Sequence, residues 1–113
     1  MTEGIEGLYI ETHNWGKAAK FFQSLGYKVE FETEDGSGML RNGDGPYLLL
    51  IEVPESQDPR TEVVLRTASA EEFQLGEGVE VVTPFEPTHY GTQEMKVRDP
   101  DGRTWSIQAP AKK

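Results

Sequence analysis

The sequence predicts an α+β fold made of two consecutive modules, each a strand, a helix and three further strands. Three observations carry this reading. The order of apolar patterns and turns runs once over residues 4–54 and again over 61–110, with a polar connector at 55–60. Leu8, Arg41, Asp44 and Gly45 have counterparts in Leu65, Arg98, Asp101 and Gly102, each 57 positions further on. The stretch Tyr47 to Val53 is apolar at successive positions, so it needs cover on both of its faces. The repeated order of elements, more than the repeated identities, points to duplication.

In the first module, Ile5, Leu8, Tyr9 and Ile10 mark a strand over about residues 5–11. Asn14 is placed to cap a helix, and Trp15, Ala18, Ala19, Phe22 and Leu25 recur with helical spacing. Gly26 sits where a left-handed residue ends such a helix. Tyr27, Val29 and Phe31 then alternate with Lys28, Glu30 and Glu32, the period of a half-buried strand. Turns at Glu34 to Gly38 and Asn42 to Gly45 bracket a short strand holding Met39 and Leu40.

The pattern then restarts. Val63, Val64 and Leu65 predict a strand, and Ser69 with Glu72 has the spacing of a capping box for a short helix ending near Leu75 and Gly76. Val79, Val81 and Val82 suggest another strand, followed by a long loop from Pro84 to Gly91. Met95 and Val97 lie in the next strand, Asp99-Pro100-Asp101-Gly102 forms a hairpin turn, and Trp105 and Ile107 mark the last strand.

Composition narrows the function. The chain has 113 residues and a formal charge of −9, from 20 acidic against 11 basic side chains. That field repels nucleic acid and anionic membranes, whose binding depends on Lys and Arg. There is no cysteine, hence no disulfide, thiolate metal site or cysteine nucleophile. No basic segment followed by an apolar stretch opens the chain, and the longest aliphatic run, Leu48 to Ile51, is far short of a membrane span. A soluble cytoplasmic protein is expected.

The string from Gly91 to Gly102, ending Lys96-Val97-Arg98-Asp99-Pro100-Asp101-Gly102, resembles the late strand and hairpin of the vicinal oxygen chelate superfamily. This superfamily includes glyoxalase I, bleomycin-resistance proteins, fosfomycin-resistance enzymes and extradiol dioxygenases. Ala19-Lys20-Phe21-Phe22-Gln23-Ser24-Leu25-Gly26-Tyr27 is similar to its first helix. The resemblance implies two βαβββ modules whose mixed sheet curls around a cavity, with the helices outside, and a homodimer.

The resemblance also implies where a metal would sit, on the first and last strands of each module. Those positions hold Ile5 or Gly7, Leu49, Glu62 and Ser106, and only Glu62 is a metal donor of the usual kind. His13 and His89 read as surface residues. No metal and no cofactor is therefore expected. Residues in phase with these positions are the candidate cavity lining: Tyr9, Glu11, Tyr47, Leu49, Glu62, Glu94, Ser106 and Gln108, with Tyr90 closing one end. Trp15 and Trp105 are out of this set and are assigned to the core.

Carboxylates beside aromatic rings suit a cationic or aromatic small molecule. The reading is a metal-free binding protein similar to bleomycin-resistance proteins, sequestering an antibiotic or toxic metabolite. The alternative is a lyase, isomerase or dioxygenase-like enzyme, needing a metal or an acid–base pair such as Glu62 with Glu94. No phosphate-binding helix start, calcium loop or serine-hydrolase elbow is present.

Overall fold

A computed structural model describes residues 1–88 and 91–111, so His89 and Tyr90 lie outside the described residues. The elements are β1 (Ile5–Thr12), α1 (Trp15–Gln23), β2 (Lys28–Glu32), β3 (Ser37–Arg41), β4 (Tyr47–Glu52), β5 (Thr61–Arg66), β6 (Glu80–Pro87), β7 (Thr92–Arg98) and β8 (Thr104–Pro110). The chain divides into two compact units: Gly7–Glu62, and residues 1–6 together with those from 63 onward. The fold is α+β, with mixed sheets in two tandem four-stranded arrangements.

The first unit has the strand order β2-β3-β4-β1, β1 and β4 parallel and the other pairs antiparallel. Strand alternation splits its apolar residues between two faces. Leu40, Leu48 and Leu50 are buried on one face, with Leu8 and Ile10 beside them, against Trp15 and Ala19 of α1. Tyr9, Tyr47, Leu49 and Met39 occupy the opposite face, in register as Tyr9–Leu49 and Met39–Leu49. The doubly apolar β4 is thus explained: only one of its faces is spent on the helix.

Helix α1 starts where the sequence places it. The Asn14 side chain accepts from the Lys17 N–H at 3.0 Å, and the Glu52 carboxylate accepts from the Trp15 N–H at 2.8 Å. Two acceptors therefore satisfy exposed amides at the positive end of the helix. The helix stops at Gln23, before the Leu25 that the spacing included, and Gly26 turns the chain with φ of +101°. Gly38 lets the helix approach: a Cβ there would lie 2.6 Å from both the Trp15 ring and the Phe31 carbonyl.

The second unit repeats the connection pattern, with strand order β5-β8-β7-β6, β5 and β8 parallel and the other pairs antiparallel. Among its described residues no helix follows β5. Glu72 N–H does donate to Ser69 Oγ at 3.3 Å, so the cap forms, but turns follow instead of a helix. Phe73 packs edge-on against Phe85 while Leu75 stays exposed, leaving too little apolar stripe to repay helix nucleation. The second departure is β6, which extends through Pro84 to Pro87 where a loop was expected. It is a terminal strand of the unit's order with register shifts after Val81 and Thr83, the setting in which a strand tolerates proline.

The Asp99-to-Gly102 hairpin turn forms, with Gly102 at φ of +87°. Trp105 is half-buried rather than core, and its indole N–H donates to Asp99 Oδ2 at 2.9 Å. That bond leads the set of donors, including the Arg103 and Asp101 amides and the Arg103 charge, that hold Asp99 at a pKa of about 2. Among the described residues no helix is long and apolar enough to cross a membrane.

Candidate functional site

In the first unit, Tyr9 and Glu11 lie two apart on β1 and share a face, and the tyrosine hydroxyl donates to Glu11 Oε2 at 2.8 Å. The connector leading into β5 closes over them. Gln57 Nε2 and the Arg60 backbone N–H donate to Glu11 Oε1 at 3.2 and 3.1 Å. Arg60 then crosses to Glu62, donating from its guanidinium to Oε2 at 2.8 Å, while its Nε stands 3.5 Å from Glu11. The guanidinium carbon sits 5.4 Å from the Tyr9 ring centroid, within cation–π range. The side chains of Glu11 and Glu62 are 4% and 1% exposed, and that of Arg60 is 53% exposed.

Two buried carboxylates are thus held by one half-exposed arginine. Burial works against ionising Glu11, but the hydrogen bonds from Tyr9, Arg60 and Gln57 and the Arg60 charge overcome it and lower its pKa. Burial likewise opposes the Arg60 charge and is outweighed by Glu62 and Glu11, so that pKa is raised. Tyr9 is pushed up to about 12, first by burial and then by its hydrogen bond and proximity to Glu11. In a tyrosine-resolved NMR titration, one resonance is expected to titrate near 12 and to disappear in Tyr9→Phe. A set of tyrosines all titrating near 10 would contradict this arrangement.

Tyr47 is buried against the backbone of β1, its ring so close to Gly7 that a Cβ there would lie 2.4 Å away. The Arg41 guanidinium carbon stands 5.9 Å from the centroid of its ring. Leu49 is half-buried between Tyr9 and Met39 in register. The first unit therefore gathers Tyr9, Glu11 and Glu62 around Arg60, with Tyr47 and Leu49 on the same sheet face as Tyr9.

In the second unit, Glu94 and Gln108 face each other across β7 and β8, as do Lys96 and Ser106. Lys96 Nζ donates to the buried Ser106 Oγ at 3.1 Å and lies 3.4 Å from Glu94. Tyr90 lies outside the described residues. Sequence reading missed Gln57, Arg60 and Lys96. A signal existed for Lys96, since Glu94 and Lys96 are a charge pair two residues apart on one strand and so share a face.

No protein-family model matches the sequence, and no curated protein matches it significantly. Solved structures do match. A glyoxalase/bleomycin resistance protein/dioxygenase superfamily member from Vibrio splendidus 12B01 aligns with a TM-score of 0.69 at 14% identity, covering 96% of this chain and 99% of that one. Methylmalonyl-CoA epimerase from Mycobacterium tuberculosis aligns with a TM-score of 0.73 at 13% identity over 98% and 90% of the two chains. The fold is the glyoxalase/bleomycin-resistance fold. BphC, a halotolerant catechol dioxygenase, aligns with a TM-score of 0.70 at 16% identity, covering 99% of this chain and 41% of that longer one. The fold expected from the motif resemblance is the one found in the Vibrio splendidus structure.

The glyoxalase/bleomycin-resistance fold raises the question of a metal, and the donors present do not fit one. Of the positions named from the resemblance, Gly7 is covered by Tyr47, Leu49 is a hydrocarbon and Ile5 is exposed. Glu62 is engaged by the Arg60 guanidinium, and Ser106 by the Lys96 ammonium. Fixed positive charges beside both remaining oxygen ligands repel a divalent cation. Among the described residues no three His, Asp or Glu side chains gather to hold a metal ion.

Proposed function

We propose that this chain is a metal-free small-molecule-binding protein acting as a homodimer, one that sequesters an antibiotic or toxic metabolite. The observation that carries the reading is the Arg60 guanidinium, 2.8 Å from Glu62 and 3.5 Å from Glu11. A cation supplied by the chain itself takes the charge that buried carboxylates would otherwise draw from a metal. Tyr9 and Leu49, both half-buried, remain as an aromatic and aliphatic face turned away from α1, suited to a flat or amphipathic ligand.

The fold is shared with an epimerase and a dioxygenase, so turnover is the competing reading. It is disfavoured because Glu62 is ion-paired to Arg60 and Glu94 to Lys96, which ties up the two carboxylates proposed for acid–base work. Isothermal titration against cationic and neutral aromatic compounds, glycopeptide antibiotics included, tests the reading. Saturable one-site binding to at least one class without added metal is expected, and Glu62→Gln should leave no catalytic rate to lose. Silence across the panel contradicts it, as does metal-independent turnover abolished by Glu62→Gln.

A further inference from the structure

The second unit contains a cavity of about 400 Å³, within the size range of small-molecule sites. Four segments build it: the N-terminal residues, the end of β5 with the turn after it, the start of β7 and the end of β8. Its frame is hydrogen-bonded. Arg66 exchanges backbone bonds with Glu3 and Gly4, Thr67 N–H donates to the Gln108 carbonyl at 2.9 Å, and Thr67 Oγ1 donates to the Met1 carbonyl at 3.0 Å. None of the positions at which the resemblance places a metal lines this space.

We propose that this cavity binds a small amphipathic monocation, an aromatic amidinium or ammonium compound. The inference rests on the small-molecule reading above and gives it a place and a ligand class. Charge comes first. Glu3 and Glu6 both line the cavity, and among its described lining residues Arg66 is the one cation. Arg66 reaches Glu6 at 3.3 Å and Glu3 only at 3.9 Å, so one guanidinium faces two carboxylates and one negative charge is left over. The chain's overall charge of −9 adds to the attraction for a cation.

Shape gives the rest. Ala68, Ala109 and Pro110 are small apolar walls that leave room for a ring. A flat cation therefore meets apolar surface on its body and carboxylates at its head. An anion would meet Glu3 and Glu6 unfavourably, and an uncharged ring would gain nothing from them.

The test is a ¹H–¹⁵N NMR titration of the intact protein with benzamidine, its neutral isostere benzamide, and benzoate. Benzamidine is expected to shift the amides of Thr67, Ala68, Gln108 and Ala109 saturably. Benzamide should bind at least about fivefold more weakly, and Glu6→Gln should weaken benzamidine by about fivefold. Ala68→Trp, at an exposed position, should abolish those shifts without unfolding the chain. Shifts centred on Tyr9, Glu11 and Arg60 would overturn the cavity assignment while leaving the small-molecule reading intact. Equal binding of benzamide or benzoate would overturn the cationic class. No shift with any of the three overturns the inference, while the wider calorimetric panel decides separately on the reading beneath it.

Discussion

Arg60→Ala is expected to destabilise the protein by about 2–4 kcal/mol in equilibrium urea unfolding near neutral pH. The loss is large because of what stays behind. Glu11 and Glu62 remain buried at 4% and 1% side-chain exposure, with their shared cation gone. The figure is set below that for breaking a wholly buried pair because the Arg60 side chain is 53% exposed and partly screened by solvent. Adding Glu62→Gln to the variant is expected to recover part of the stability, since an uncharged amide costs less to bury than an unpaired carboxylate. A loss below about 0.5 kcal/mol would show that water, not Arg60, balances these charges.

The same ion pairs make the effect depend on pH in one direction. A carboxylate whose folded pKa lies below its unfolded value contributes stability above the unfolded pKa, and loses it as pH falls through the folded one. Glu11 is of this kind. The gap between wild type and Arg60→Ala is therefore expected to be widest near neutrality and to narrow below about pH 4. A gap that widened in acid would reverse the assigned roles.

Gly38→Ala is the second large effect, a loss of about 2–3 kcal/mol read as a lowered thermal midpoint. The added methyl would stand 2.6 Å from the Phe31 carbonyl oxygen and 2.6 Å from Trp15. The oxygen belongs to the backbone of β2 and cannot rotate aside, so either β3 shifts or the helix lifts from Leu40, Leu48 and Leu50. Gly76→Ala serves as the control, since a Cβ there has nothing within 4 Å and its backbone is not left-handed. Equal effects at the two glycines would contradict the close approach of Trp15 to β3.

How legible this was in the sequence varies by element. Helix α1 could be read because its cap, its apolar stripe and Gly26 agree with one another and with the face that packs. The missing second helix had a cap without a stripe, and a cap alone does not offset nucleation. Strand β6 was hidden by Pro84, because sequence does not say that a strand will lie at the end of the sheet order, where proline costs no ladder bond. The shared sheet face of Tyr9, Glu11 and Leu49 followed from strand alternation, and the register places Tyr9 and Leu49 side by side. Arg60 was not legible as their partner. It comes from a connector without regular structure, and only the folded path of residues 55–60 brings its charge onto Glu11 and Glu62.

A built-in guanidinium, in place of a metal, is expected to balance the charge of Glu11 and Glu62. Metal content of the protein, purified without chelators and equilibrated in turn with zinc, nickel, manganese and iron, measures this most directly. The expected result is far less than one ion per chain for each metal, with no rise in thermal midpoint on metal addition. One ion per chain, retained through dialysis and lost in Glu62→Gln, would contradict it and return the site to metal-dependent chemistry.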